Sequence, residues 1–434
     1  MKSFQTILLI VFSFFVVIAV LIFAGVFGGS KGADQVATTP VVMWGTIPKI
    51  VIDDIVLQTT EAGDKLNITY VEKRVSELES DLINALASGI GPDILLAPHT
   101  LLLKQQDKLL AIPFTSIPER TYKDTFVQAS ETLLSTDYSL GMPVFLNPLV
   151  LYWNRDMFNS AGVPAVPANW SAVQLLPTKM TKIDDKGKIT TSAVAMGGVG
   201  NVTHYKEILA TQIMQTGNQI VGRDRVEGEG GVIKLVPRVG LNEGTGAVSA
   251  LRYYVEFGNP SLPKYSWNSA KNNSLDEFVA GKLGMYFGFA SEESRIREQN
   301  PHLNFDIANM PQITDGDLRL TYADVYTLAV IKSSKVTAGA FAVAYKLAYG
   351  TPAKLIADTL RLPPARRDLL ATLPVDATMS LFFNSAVMAR TWYDTDEITT
   401  GNIFADMVED VMIGKTGTDN AISTADARLR QLFK

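Results

Sequence analysis

Residues 68–96 read ITYVEKRVSELESDLINALASGIGPDILL, and their reading decides the fold class. Ile68 to Val71 is a short run rich in β-branched and aromatic residues, the composition of a strand. Between Glu72 and Ser88, Val75, Leu78, Leu82, Ala85 and Leu86 recur at steps of three and four, which predicts one apolar face of an amphipathic helix. Gly89-Ile90-Gly91-Pro92 stops that helix, and Asp93-Ile94-Leu95-Leu96 resumes as strand. Upstream, Val41-Val42-Met43-Trp44-Gly45 is a buried-strand pattern ending at a glycine. Strand, helix and strand in this order form a βαβ unit, so the chain is α/β with largely parallel strands.

Downstream, Gly141 to Asn154 (GMPVFLNPLVLYWN) reads as extended chain, and Asp156-Met157-Phe158 opens a short helix closed by Gly162. Ser274 and Glu277 stand in the S-x-x-E spacing of a capping box, followed by Phe278 and Val279 and ended by Gly281. Leu283 to Phe287, Phe305 to Ala308 and Tyr326 to Ile331 read as strands, and Ala338 to Ala348 as a helix. No fixed-period repeat occurs, which disfavours solenoids and propellers. At 434 residues the chain exceeds what one core usually organises, so two compact lobes are expected.

Hydrophobic residues make up 47% of the chain and charged ones 19%, a globular balance. A net charge of −5 supplies no basic surface for phosphate backbones and excludes nucleic acid as the main partner. Cysteine is absent, which removes disulfides, thiolate nucleophiles, zinc–thiolate sites and attachment of a lipid through cysteine. From Ile7 to Phe27 the chain carries no charge over a length that matches the roughly 20 residues needed to cross a bilayer as helix. Lys2 precedes the run, so the N-terminus is expected inside and everything after about residue 30 outside. The run exceeds an ordinary signal-peptide core, so an uncleaved single-pass anchor is expected, with secretion after cleavage as the alternative. Residues 28–40 (GGSKGADQVATTP) read as a flexible tether.

Four separated segments together resemble the bacterial extracellular solute-binding proteins of ABC importers, of the carbohydrate-binding, maltose-binding-protein-like family. They are the strand ending in Trp44-Gly45, the helix leading to Gly91–Leu96, the stretch Gly141–Trp170, and Phe278–Gly288 (FVAGKLGMYFG). The resemblance continues through Pro311–Ile313 and Leu362–Leu370. It implies a two-lobed, periplasmic-binding-protein-like α/β fold following the N-terminal transmembrane helix. Lobe 1 would take residues 40–145 and 300–333, and lobe 2 residues 147–297 and 336–434. It further implies a small solute of the carbohydrate class, held between the lobes by hinge closure and delivered to ABC permease subunits. Where the family commonly has Gly-Gly before the strand near Tyr326, this chain has Tyr322-Ala323-Asp324-Val325.

Sugar recognition needs flat apolar faces and planar polar groups. Trp44 ends the first strand, where open α/β sheets place ligands, and Asp93 can accept ligand hydroxyls or fix its turn. Asn147 and Trp153 lie where the resemblance places crossing segments. Tyr286 and Phe287 end the strand where the family has ligand contacts, Tyr322 and Asp324 precede a returning strand, and Trp392 and Tyr393 offer a stacking platform. Core or hinge packing is the alternative for each.

Catalytic and cofactor signatures are missing. His99, His204 and His302 are far apart and outside any metal-ligand spacing, so they read as lone surface histidines. Gly414-Lys415-Thr416 resembles the end of a P-loop, but Glu409 stands where the leading glycine is required. Asp184-Asp185 and Glu292-Glu293 are adjacent rather than spaced for acid–base work. No cofactor is expected, and the chain reads as a binder rather than an enzyme. The rivals are an anchored receptor or scaffold engaging a protein partner, and a glycoside hydrolase.

Overall fold

The computed structural model describes residues 39–433 except 62, 64–65, 229–232, 315 and 317. The apolar run Ile7–Phe27 lies outside the described residues, so its expected membrane span falls outside them too. Among the described residues no helix is long and apolar enough to cross a membrane.

In chain order the elements that matter here begin with β1 (Val41–Gly45), α1 (Lys49–Glu61), β2 (Ile68–Glu72), α2 (Leu78–Ala87), β3 (Ile94–Pro98), β4 (Met142–Asn154) and β5 (Ile189–Val194). After them come α3 (Tyr205–Gln215), β6 (Val221–Glu227), β7 (Ile233–Val239), α4 (Gly246–Val255), α5 (Ser274–Val279), β8 (Leu283–Phe289), α6 (Glu292–Gln299) and β9 (Phe305–Ala308). The series closes with β10 (Thr321–Val330), α7 (Thr337–Tyr349), α8 (Pro352–Leu360), α9 (Glu397–Met412) and α10 (Thr418–Leu432). The chain divides into two compact units. The first comprises the described residues up to Phe126, Leu133–Phe145 and Tyr326–Leu360; the second comprises Val127–Thr132, Leu146–Val325 and Arg361 onwards. Residues 300–325 therefore cluster with the second unit and 336–360 with the first, unlike the expected division. The reason is packing: α8 lies on α1 and α7 on α8, so this stretch buries its apolar face in the first core.

In the first unit β1 runs parallel to β2, with Val41 opposite Ile68, and parallel to β3, with Met43 opposite Ile94. The second half of β10 closes the sheet antiparallel to β3, from Tyr326 opposite Pro98 to Val330 opposite Ile94. The βαβ expectation is thus met, with a later start to its helix. Leu78, Leu82 and Ala85 are buried, but Val75 is exposed. Lys73 still extends the strand by donating its N–H to Gly45 O, and the helix starts where Glu79 and Asp81 can sit at its positive end. Gly45 has a steric reason, since a Cβ there would meet Tyr70 Oη at 2.8 Å and Leu96 O at 3.0 Å. Tyr70 Oη accepts from Ile47 N–H at 3.0 Å and donates to Ile47 O at 2.9 Å, fixing the chain after β1.

In the second unit β8 runs parallel to β5 and antiparallel to β4, with Phe289 opposite Leu149 and Met285 opposite Trp153. β9 pairs antiparallel to the other edge of β4, with Phe305 opposite Asn154. The helices α3, α4, α9 and α10 pack together, and β6 and β7 form an antiparallel hairpin. The expected Ser274–Glu277 capping box does not form. Asn273 caps α5 by accepting from Leu275 N–H at 3.0 Å, while Ser274 Oγ accepts Thr203 N–H at 2.9 Å and Glu277 pairs with Lys271 at 2.7 Å. An Asx cap one residue earlier frees both box residues for tertiary bonds.

Candidate functional site

A dense polar assembly lies within the second unit, around the N-terminal turn of α3. The loop before it is pinned: Asn201 Nδ2 donates to the carbonyls of Asn268 and Lys271, and Thr203 Oγ1 donates to Asn273 at 2.8 Å. His204 then enters the helix in the left-handed region, at φ 60°, a conformation that costs a β-carbon-bearing residue energy unless its surroundings hold it. They do. His204 Nε2 donates to Glu292 Oε1 at 3.0 Å, and the imidazole stands edge-on to Phe289 at 4.7 Å.

Glu292 opens α6, where the helix N-terminus favours a carboxylate. Its other oxygen accepts from Tyr286 Oη at 2.9 Å and from Phe289 N–H at 3.1 Å. Ser291, just before it, exchanges two hydrogen bonds with Asn147, at 2.9 and 3.0 Å. Burial opposes protonation of His204, but the Glu292 hydrogen bond and charge outweigh it and raise the imidazole above its ordinary value.

Beside this clamp, Tyr322 N–H donates to Thr211 Oγ1 on α3 at 3.2 Å, and Tyr322 Oη donates to Asp324 at 3.2 Å. Asp324 is half-buried by its exposed surface, but its carboxyl sits in a low-dielectric surround under the charge of two further carboxylates. Burial first, then the charges of Glu397 and Glu207, push it up to about 8, against the Tyr322 hydrogen bond and His204. Asp324 is therefore mostly a neutral acid at pH 7, able to donate as well as accept.

One residue on from Tyr205, Lys206 Nζ bonds Asp394 at 2.7 Å and Thr400 Oγ1 at 2.8 Å, a pair whose side chains are 8% and 2% exposed. The ammonium also lies 5.4 Å from the centre of the Trp392 ring, which stacks on Phe404 at 6.1 Å.

Of the residues singled out from sequence, Tyr286, Tyr322, Asp324 and Trp392 thus gather around α3, and Asn147 joins through Ser291. The others stand apart. Trp44 lies in the first unit beneath Lys73 Nζ at 4.0 Å and is 8% exposed. Asp93 accepts from Val42 N–H at 2.8 Å and from Ser334 Oγ at 2.6 Å, tying β1 to the segment after β10. Trp153 packs edge-on to Phe158 at 5.1 Å. Phe287 is buried 5.5 Å from Trp170, and Tyr393 lies under Arg223 at 4.7 Å and beside Phe433.

Sequence reasoning passed over His204, Lys206, Glu207, Glu292 and Glu397. The reading of three lone surface histidines is corrected: His99 is fully buried, His204 is ion-paired, and only His302 is exposed. A signal existed in His204-Tyr205-Lys206-Glu207, where a helix start places residues 204 and 207 together on one side. Glu292 carried none, since its partner is 88 residues away. Among the described residues no group of His, Cys, Asp and Glu side chains could hold a metal ion.

Two α/β units, each a sheet flanked by helices, with the chain returning to the first unit late in its length, define the architecture of a two-lobed solute-binding protein. Its sequence matches the pattern of the bacterial extracellular solute-binding protein family over residues 45–348, and the chain belongs to that family. A protein of Brucella abortus (strain 2308) named as a binding protein is 22% identical over 278 residues, which are 63% of this chain and 62% of that one. The match therefore spans about three fifths of the length of such curated relatives. Among solved structures, the cyclic alpha-maltosyl-1,6-maltose binding protein from Arthrobacter globiformis superposes with a TM-score of 0.71 at 17% identity, covering 91% of this chain and 99% of that one. The sugar-binding protein MalE from Xanthomonas citri gives 0.70 at 18% identity, covering 91% and 97%. At such identities the likeness concerns the fold.

Proposed function

We propose that this chain is the extracytoplasmic substrate-binding subunit of an ABC-type importer and that its solute is a sugar or oligosaccharide. The observation that carries the reading is family membership over residues 45–348. The carbohydrate class is supported by fold relatives whose names specify a cyclic maltosyl-maltose in one case and a sugar in the other. The assembly at the start of α3 supplies suitable chemistry: a neutral Asp324 carboxyl, the Tyr322 hydroxyl and the Glu207 carboxylate offer both donors and acceptors for hydroxyl groups. Ile7–Phe27 remains in place as a single-pass anchor, with the folded part outside the cell membrane.

Calorimetry of the full chain in lipid nanodiscs against maltodextrins, monosaccharides, amino acids and polyamines tests the proposal. Saturable heat with a sugar, matched by a thermal shift, is expected. Heat only with amino acids or polyamines overturns the carbohydrate class, and no response to any solute overturns the binding role in favour of a receptor for proteins.

A further inference from the structure

In the second unit, Arg390 stands on the two-residue strand Ala389–Arg390, which pairs parallel to the start of β10 with Arg390 opposite Tyr322. Three residues on, Tyr393 N–H donates to Val221 O at the start of β6, so this segment is held between the two strands. A third segment joins them. Arg223, on β6, reaches over the Tyr393 ring at 4.7 Å, and its Nη2 donates to Thr132 O at 2.8 Å and to Glu131 O at 3.3 Å. Val127 N–H in turn donates to Ala365 O at 3.0 Å, which ties the chain just before Arg367 to the stretch that carries Glu131.

Arg390 is poorly answered in this setting. A guanidinium offers five N–H donors in a planar fork. Among the described residues, the one hydrogen bond it makes goes to Ala389 O at 2.8 Å, one residue back in its own chain, and no carboxylate forms an ion pair with it. The arginines that tie down this unit elsewhere do have carboxylates: Arg361 meets Asp376, Arg366 meets Asp368 and Arg428 meets Asp406. Arg390 is also half-buried, so water replaces the missing acceptors only in part. Burial first, then the charge of Arg367, hold it below its ordinary value, and Glu131 offsets them only partly. A desolvated cation repelled by a second arginine costs the free protein stability, which a bound anion would return.

We propose that Arg390 is the anchor for the carboxylate of an acidic sugar, so that the solute class is uronic acids and their oligomers rather than neutral sugars. This rests on the sugar-binding reading made above. The planar fork matches a carboxylate with two parallel N–H···O bonds, and the adjacent strand supplies the Tyr322 and Asp324 groups already assigned to hydroxyls.

The full chain in lipid nanodiscs is titrated calorimetrically with digalacturonate, galactobiose and galactose 6-phosphate. Digalacturonate is expected to bind at least about ten-fold more tightly than galactobiose, with the gap narrowing as sodium chloride is added. Arg390→Gln should weaken digalacturonate binding about 10- to 100-fold, and Arg390→Lys, which keeps the charge but not the fork, by less. Without ligand, Arg390→Gln should unfold about 1–3 °C above the parent, because the repelled charge is gone. Galactobiose bound in preference to digalacturonate overturns the acidic class alone, whereas no heat with any sugar overturns the sugar-binding reading with it. A preference for the phosphate overturns the carboxylate assignment. Digalacturonate bound undiminished by Arg390→Gln overturns the role of Arg390. So does a loss of binding in which both variants unfold several degrees below the parent, since Arg390 would then be holding the fold.

Discussion

The two units treat polar residues differently. In the first, the polar side chains near the sheet serve backbone: Asp93 ties Val42 N–H to Ser334, and Tyr70 Oη closes on both backbone groups of Ile47. In the second, around α3, side chains also bond one another. Lys206 with Asp394 and Thr400, Glu292 with His204 and Tyr286, and Tyr322 with Asp324 all meet around one helix turn. Groups that serve backbone alone fix a scaffold, whereas groups that also bond other side chains can be exchanged to change what a site recognises. The second unit is accordingly where solute selectivity is proposed to reside.

The largest effect expected from breaking this contrast is at the buried ion pair. Lys206→Met leaves Asp394 without its cation in a site that water barely reaches, and should cost about 3–5 kcal/mol of stability in urea denaturation. A loss below about 1 kcal/mol would mean that Thr400 and the Asp396 N–H, which also bond Asp394, satisfy it alone.

Next comes the pH dependence. With its carboxyl at about 8, folded Asp324 keeps a proton that the unfolded chain releases near pH 4, so stability falls as pH climbs through that window and levels off above it. His204 acts in the same direction. Its stabilising share is complete below its ordinary 6.5 and disappears as pH rises through the higher folded value. Asp324→Asn should therefore be more stable than the parent at pH 8 by on the order of 2 kcal/mol, a figure lowered for partial solvent screening, with little gain at pH 4. Equal gains at both pH values would show that crowding, not charge, burdens this site.

In the first unit Tyr70→Phe should cost about 2 kcal/mol, because it strands both backbone groups of Ile47 in a buried position, while leaving solute affinity unchanged. A large affinity loss would move a determinant of binding into the scaffold and weaken the contrast. The smallest effect is expected for Tyr286→Phe, about 1 kcal/mol. Glu292 keeps its bonds to His204 and Phe289 N–H there, so calorimetry should find the solute still bound.

Much of the fold was legible because it rests on local periodicity. The strand ending at Gly45, the helix ending before Gly89 and the strand from Ile94 follow from apolar spacing and glycine placement alone. Errors fell where a local pattern had a tertiary competitor, as with the S-x-x-E box whose members were drawn off to Thr203 and Lys271. The site was less legible. Tyr322 and Asp324 stood out as polar residues beside a returning strand, although that strand starts at Thr321 and includes both. Nothing near His204 in the chain announces Glu292.

By itself, the sequence determined the α/β class, the need for more than one core, the family and the long uncharged leader. These depend on composition and on spacings of a few residues. Only the tertiary structure decided that residues 336–360 complete the first unit, that His204 takes a left-handed conformation against Glu292, and that the charges of Glu397 and Glu207 act on Asp324. Those outcomes depend on burial and on Coulomb interactions between groups up to about two hundred residues apart, where distance along the chain carries no information about distance in space.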